Sequence, residues 1–235
     1  HRIARRQRQM CIRDSHHIAG GVFMVYGTSF HALVQRAKIS SKDNVLILGA
    51  AGGVGLAAVD IAKAFGARVV AAVSNKEKAL VCSKYGVDDV VIYGEKKLSV
   101  DGQKSFTKEL KSKSGGSGFS IIYDPLGDCY SEPALRSIQW GGTYLVVGFA
   151  AGKIPSFPAN LMLLKGCSVS GVFIGRFQKE EPEQSSKNML DIGEMVSKGR
   201  LSPHITEIIP MRDAVGAIER IAKRGVVGKV VFVNN

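Results

Sequence analysis

Residues 44–75, NVLILGAAGGVGLAAVDIAKAFGARVVAAVSN, constrain the fold more than any other stretch of the chain. Residues 45–48 form a short apolar run typical of a strand buried on both faces. After a glycine-rich turn, apolar residues recur at helical spacing up to Gly66, a residue typical of a helix C-terminus. They are Val54, Ala57, Ala58, Ile61, Ala62 and Phe65. A second apolar run at 69–73 completes a strand–turn–helix–strand unit.

The glycine spacing in this unit suits the binding of a pyrophosphate. Glycines let the backbone turn sharply and let a diphosphate approach without meeting a Cβ, while the N–H groups that begin the helix face its charge. The spacing is Gly49-x-x-Gly52-x-x-Gly55 rather than G-x-G-x-x-G, so the prediction of a dinucleotide site depends on the strand and helix around it. The alternative is a tight turn that only packs the helix on the sheet.

The end of the second strand indicates which dinucleotide is bound. A site for NADH places an acidic residue there to accept hydrogen bonds from the ribose, whereas this chain has Ser74 and Asn75, followed by Lys76 and Lys78. Hydroxyl, amide and ammonium groups suit a 2′-phosphate, so we predict NADPH. Glu77 is expected to point away from Ser74 and Lys78. Ser74 or Asn75 is also predicted to cap the next helix, and the two roles are compatible.

The remaining pattern indicates an α/β fold. Six apolar strands alternate with helices over residues 21–174, which predicts a Rossmann-type doubly wound parallel sheet with helices on both faces. Residues 22–40 are predicted to include a helix with Thr28 or Ser29 as its N-cap. Residues 175–235 break the alternation, with helices near 185–198 and 214–224 and strands near 205–209 and 229–233; such a return segment often belongs to another domain.

Composition narrows the class of protein. The chain has 235 residues, 45% of them apolar, which is enough for a sizeable core. Its cysteines lie far apart without a C-x-x-C pair, which argues against a zinc cluster and favours a reducing compartment. They are Cys11, Cys82, Cys129 and Cys167. No apolar run approaches the roughly twenty residues of a membrane span.

The net charge of +12 raises the question of nucleic acid. Residues 1–20 hold five of the arginines against one aspartate and show no pattern of a helix or strand. We expect this leader to be foreign to the fold or disordered. Because the densest charge lies there and no basic patch is interleaved with aromatic residues, nucleic acid is the less favoured partner.

Five segments between Tyr26 and Val233 carry a resemblance to a known family. They are YGTS at 26–29, GAAGGVGLAAVDIAK at 49–63, DPLG at 124–127, WGGTYLVVGFAAG at 140–152 and GKVVFV at 228–233. Over this range the sequence resembles the medium-chain dehydrogenase/reductase superfamily, in its zinc-free quinone oxidoreductase branch.

This resemblance assigns three groups of residues to the cofactor. Those along its phosphates are Ala51, Gly52, Gly53 and Val54. Those around its 2′-phosphate and adenosine are Ser74, Lys78 and Tyr93. Those beside its nicotinamide are Thr28, Gly148, Phe149 and the backbone of 172–174, including Phe173. Ordinary aromatic packing is the alternative for Tyr93 and Phe173.

The resemblance implies hydride transfer from NADPH to a small-molecule quinone or conjugated carbonyl compound, with no zinc and no obligatory acid residue. Catalytic residues are not assigned, because His31, His204 and Asp124 are isolated in sequence and are expected to be structural. Members of the branch also have a GroES-like N-terminal domain, to which residues 175–235 would contribute. We therefore expect a fragment with weak or absent turnover.

Two other functions are compatible with the sequence. One is that of an alkenal or enoyl reductase of the same superfamily, and the other is that of a nucleotide- or RNA-binding protein without turnover. We expect no membrane partner and a cytoplasmic location, with the mitochondrion as the alternative, and a homodimer is left open.

Overall fold

The structure, a computed structural model, describes residues 16–222 and 227–234. Most of the predicted leader, residues 1–15, lies outside the described residues. The first helix, α1, spans His16–Phe30 and so includes the last five residues of that segment.

A six-stranded parallel sheet forms the centre of the described part of the chain. Its strands are β1 (Asn44–Leu48), β2 (Arg68–Val73), β3 (Asp89–Ile92), β4 (Phe119–Asp124), β5 (Ile138–Val146) and β6 (Ser168–Gly171). Their order is β3-β2-β1-β4-β5-β6, and every neighbouring pair is parallel. The chain therefore winds outward in both directions from β1 and β4, which confirms the predicted doubly wound sheet.

The α-helices that follow α1 in the described chain are α2 (Gly53–Ala64), α3 (Lys76–Lys84), α4 (Val100–Lys113), α5 (Ser131–Leu135), α6 (Ala159–Lys165), α7 (Ile174–Glu180), α8 (Pro182–Ser197) and α9 (Ala214–Ala222). Helices lie over both faces of the sheet. Alternate residues of β1 enter two separate cores. Val45 and Ile47 pack with residues of α1 and α2, whereas Leu46 and Leu48 pack with residues of α4 and α5. This two-sided burial explains why β1 is a continuous apolar run rather than an alternating one.

The predicted N-cap at Thr28 or Ser29 is wrong. Both residues lie near the end of α1, which continues directly into a π-helix at His31–Arg36. The Thr28 hydroxyl donates to the carbonyl oxygen of Met24 at 2.7 Å, one turn back in the same helix. The helix starts earlier because residues such as Val22 bury an apolar face in the core shared with α2, and burial outweighs the capping preference of a hydroxyl side chain.

The C-terminal segment packs against the sheet domain. Strands β7 (Ile205–Pro210) and β8 (Lys229–Val233) form a parallel pair, and the amide of Gly228 donates to the carbonyl of Ala51 at 3.0 Å. No helix among residues 16–222 and 227–234 has the length and apolar character needed to cross a membrane.

Candidate functional site

The turn between β1 and α2 requires glycine at two positions. Gly49 has φ +57°, in the region that favours glycine. A Cβ on Gly55 would lie 2.8 Å from the Cα of Ala50, and closer still to the carbonyl oxygen of Gly49. Helix α2 begins at Gly53 after a cap, Gly52, that has no side-chain oxygen to bind the first-turn amides. Such a helix start attracts an anion.

A cleft of about 940 Å³ opens beside this turn, at the carboxyl ends of β1, β2 and β3. This volume lies in the range of small-molecule and cofactor sites. Seven of the residues predicted to contact the cofactor line it. They are Ala51, Gly52, Gly53, Val54, Ser74, Lys78 and Tyr93. The structure thus brings together the predicted phosphate-facing and adenosine-facing positions.

At the end of β2, the ammonium of Lys78 donates to the hydroxyl of Ser74 at 3.0 Å. Asn75 caps α3, its Oδ1 accepting from the backbone N–H of Lys78 at 3.0 Å. The predicted helix cap is therefore confirmed for Asn75. The hydroxyl of Ser74 and the ammonium of Lys78 lie together at the cleft beside it. Glu77, which we expected to point away, lines the cleft as well, and so does Glu95.

Tyr93 both packs and lines the cleft. Its ring meets the ring of Phe106 edge-on, with centroids 5.9 Å apart, and tilts against Tyr130 at 4.8 Å. Tyr130 also lines the cleft, so the two tyrosines form one aromatic wall. Tyr93 therefore makes the aromatic contacts of the alternative interpretation and also lines the cleft. Its contact with a cofactor stays a prediction.

The predicted nicotinamide-side residues do not line the cleft, and their role stays a prediction. Thr28 is buried within α1. The amide of Gly148 donates to the carbonyl of Asp124 at 3.3 Å. Phe149 and Phe173 are 42% and 72% exposed.

Two other loop residues line the cleft instead. They are Leu126, from the loop after β4, and Ala150, from the loop after β5. The amide of Ala150 donates to the carbonyl of Pro125 at 3.0 Å, which ties these two loops together.

Lys229 is the main cleft residue that sequence reasoning missed. It lines the cleft with Gly228, and its Cδ would lie 3.0 Å from a Cβ built on Gly53. The bridge between Gly228 and Gly52 places this lysine beside the start of α2. No local sequence pattern predicts that Lys229 lies here, because the contact joins two segments that are far apart along the chain.

The buried carboxylate of Asp124 shapes the wall of the cleft. It accepts from the amides of Leu126 and Gly127 at 2.8 and 3.0 Å. The hydroxyls of Ser131 and Tyr144 donate to its other oxygen at 2.6 Å each. Burial and the Asp124 charge raise the pKa of Tyr144 well above its usual value. Asp124 thus fixes the turn that carries Leu126, which agrees with the structural role predicted for it.

His31 lies outside the residues that line the cleft. It is buried in the π-helix, with its ring stacked on Phe177 at a centroid distance of 3.8 Å. Burial lowers the pKa of His31, and the hydrogen bond to Gln35 opposes that shift more weakly. Within the described ranges, no group of three or more His, Cys, Asp or Glu side chains could hold a metal ion.

The described chain has a doubly wound parallel sheet, a glycine-rich turn after its first strand, and a helix start without a side-chain cap that faces a cleft. These features define a Rossmann-type dinucleotide-binding domain. Residues 53–191, more than half of the chain, match the family described as zinc-binding dehydrogenase. The chain belongs to this family, within the medium-chain dehydrogenase/reductase superfamily, which confirms the resemblance noted in the sequence.

Individual proteins show the same likeness. The chain is 33% identical over 208 residues to quinone oxidoreductase-like protein 2 of Rattus norvegicus, covering 88% of this chain and 57% of that protein. It is 31% identical to quinone oxidoreductase of Sus scrofa, covering 88% of this chain and 59% of that protein. A mycobacterial protein solved in complex with NADPH superposes with a TM-score of 0.81 at 24% identity, covering 91% of this chain and 63% of that one. The chain therefore spans somewhat more than half the length of these curated relatives.

Proposed function

We propose that the cleft binds NADPH and that the protein is an oxidoreductase whose nicotinamide passes a hydride to a quinone or another conjugated carbonyl compound. This proposal is carried by the pairing of Lys78 and Ser74 at the end of β2, in the same cleft as a helix start that has no side-chain cap. The names of the relatives from Rattus norvegicus and Sus scrofa support the quinone as acceptor.

In this proposal, different residues of the cleft bind different parts of the cofactor. The start of α2 and the ammonium of Lys229 would hold the pyrophosphate. Lys78 and Ser74 would hold the 2′-phosphate through charge-assisted hydrogen bonds. The wall formed by Tyr93 and Tyr130 would support the adenosine.

The bound cofactor supplies the hydride chemistry, and the protein supplies position and the exclusion of water. Asp124 contributes by holding the Leu126 turn, which packs against Gly49 at the base of the cleft. An alkenal or enoyl reductase would use the same cofactor cleft, so the acceptor distinguishes the two activities.

A titration tests the cofactor. We expect NADPH to bind more tightly than NADH, with nicotinamide fluorescence and thermal stability changing together, because a ligand that binds only the folded state stabilises it. If the chain is folded and neither cofactor changes the nicotinamide fluorescence or the thermal stability, the proposal is contradicted. Loss of NADPH absorbance is then followed with a quinone and, separately, with an alkenal and an enoyl thioester. Faster loss with either of the latter two would assign the alternative activity.

A further inference from the structure

Glu95 lies at the same end of the cleft as Ser74 and Lys78. It follows β3, the strand that pairs with β2, and the amide of Tyr93 donates to the carbonyl of Val73 at 3.0 Å. The carboxyl ends of the two strands therefore lie side by side at the same edge of the sheet. Glu95 is exposed and lines the cleft.

The Glu95 carboxylate is held in this position by Asn75. The Asn75 side-chain amide donates to Oε1 of Glu95 at 2.9 Å, while its own oxygen accepts from the backbone N–H of Lys78 at 3.0 Å. Both ends of the Asn75 amide are thus engaged, and Asn75 links Glu95 to the first turn of α3. This turn also carries the ammonium group that bonds Ser74.

A fixed carboxylate at this place acts differently on the two dinucleotides. A phosphate monoester carries a charge of about −1.5 to −2 at neutral pH, so an adjacent carboxylate repels the 2′-phosphate of NADPH. NADH has a hydroxyl at that position, which can donate a hydrogen bond to a carboxylate. Glu95 therefore opposes the preference that Lys78 and Ser74 create.

We propose that Glu95 is a specificity-determining residue that limits selectivity for NADPH, so that the cleft accepts NADH as a second cofactor. This rests on the proposed function of the cleft. It deepens that function by assigning opposite effects on selectivity to two neighbouring charges, Lys78 and Glu95.

The test compares Glu95→Gln with the wild-type full chain. Glutamine removes the charge and keeps an oxygen that can accept from Asn75. We expect the Kd for NADPH to fall about fivefold at low salt, the size of effect that one exposed charge exerts across a few ångströms of water. The Kd for NADH stays the same or rises. Because exposed charges are screened, the gain should shrink at 0.5 M salt, a concentration at which the Debye length is only about 4 Å.

Two variants separate charge from other effects. Glu109→Gln removes an equal charge from the exposed face of α4 and should leave the ratio of the two Kd values unchanged. Glu95→Ala removes both the charge and the Asn75 bond, and it should raise NADPH selectivity as Glu95→Gln does. An unchanged or lowered selectivity in Glu95→Gln, with wild-type binding intact, overturns this inference alone. Failure of the wild-type chain to bind either cofactor overturns the proposed function, and this inference with it.

Discussion

The ammonium nitrogen of Lys78 lies 3.0 Å from the hydroxyl oxygen of Ser74, across the junction between β2 and α3. The two residues are one helical turn apart in sequence, yet Ser74 follows the strand and Lys78 lies in the first turn of the helix. Asn75 fixes this geometry by capping the helix with its side chain. The pair presents a donor group and a positive charge at one place on the cleft wall.

Replacing Lys78 by Ala should weaken NADPH binding about tenfold, which corresponds to about 1.4 kcal/mol and is near the lower end for hydrogen bonds to charged groups. NADH binding should change much less, since NADH lacks the 2′-phosphate. Fluorescence titration with both cofactors measures the two constants. Lys84→Ala, at the exposed last turn of the same helix, is the matched control and should change neither. An equal loss for both cofactors in Lys78→Ala would show that Lys78 does not recognise the 2′-phosphate.

Replacing Lys229 by Ala should weaken NADPH and NADH to the same degree, by about five- to tenfold, because both cofactors contain the pyrophosphate that this ammonium would face. The ratio of the two dissociation constants should stay at the wild-type value. The same titration measures it, with exposed Lys42→Ala as the control. A change in the ratio would instead place Lys229 at the 2′-phosphate.

Replacing Gly55 by Ala should lower the free energy of unfolding by about 3 kcal/mol, the upper end of the usual cost of overpacking, because the new Cβ would collide with backbone atoms of the turn. Gly193→Ala is the matched control, since it lies in α8 with open space around the position of its Cβ. The control should raise the free energy of unfolding by about 0.5–1 kcal/mol through helix propensity. Urea denaturation followed by circular dichroism measures both. A Gly55→Ala chain with wild-type stability would mean that the turn is not packed as described.

Removing the Asp124 carboxylate should destabilise the chain more than removing one of its donors. Asp124→Ala leaves the buried hydroxyls of Tyr144 and Ser131 without their carboxylate acceptor, at a cost of about 3–5 kcal/mol. Tyr144→Phe removes one hydroxyl donor and should cost about 1–2 kcal/mol. Chemical denaturation of both variants checks the order, and equal costs would contradict it.

His31 should make stability depend on pH below about 6.5. Burial lowers its folded-state pKa below the usual histidine value of about 6.5. As the pH falls through 6.5, the unfolded chain therefore takes up a proton before the folded chain does, and the free energy of unfolding decreases. The decrease is at most about 1.4 kcal/mol per pH unit for one proton, and it ends below the folded-state pKa.

Denaturation curves at pH 7.5, 6.5 and 5.5 measure this effect of His31. The variant His31→Phe keeps a ring against Phe177 and removes the titrating group, so its stability should fall less than that of the wild type over the same range. Identical pH profiles for the two chains would exclude His31 as the source.

The local parts of the site were predictable from the sequence because each depends on neighbours along the chain. The apolar run of β1, the glycine turn and the Asn75 cap follow from burial, steric freedom and capping within a few residues. The N-cap predicted at Thr28 or Ser29 was wrong because packing between distant segments overrides a local preference. A helix that buries an apolar face continues through a residue that favours a cap in isolation.

The strand–turn–helix–strand unit, the order of the alternation and the residues that end β2 all follow from the amino-acid sequence. Three further features depend on how the chain packs: Lys229 reaches the start of α2, Leu126 and Ala150 rather than Phe149 line the cleft, and Glu95 contacts Asn75. The physical reason is the range of the interactions. Backbone preference and apolar periodicity act over one or two turns and leave a mark in the sequence, whereas contacts between distant segments depend on how the helices and strands pack and leave no local pattern.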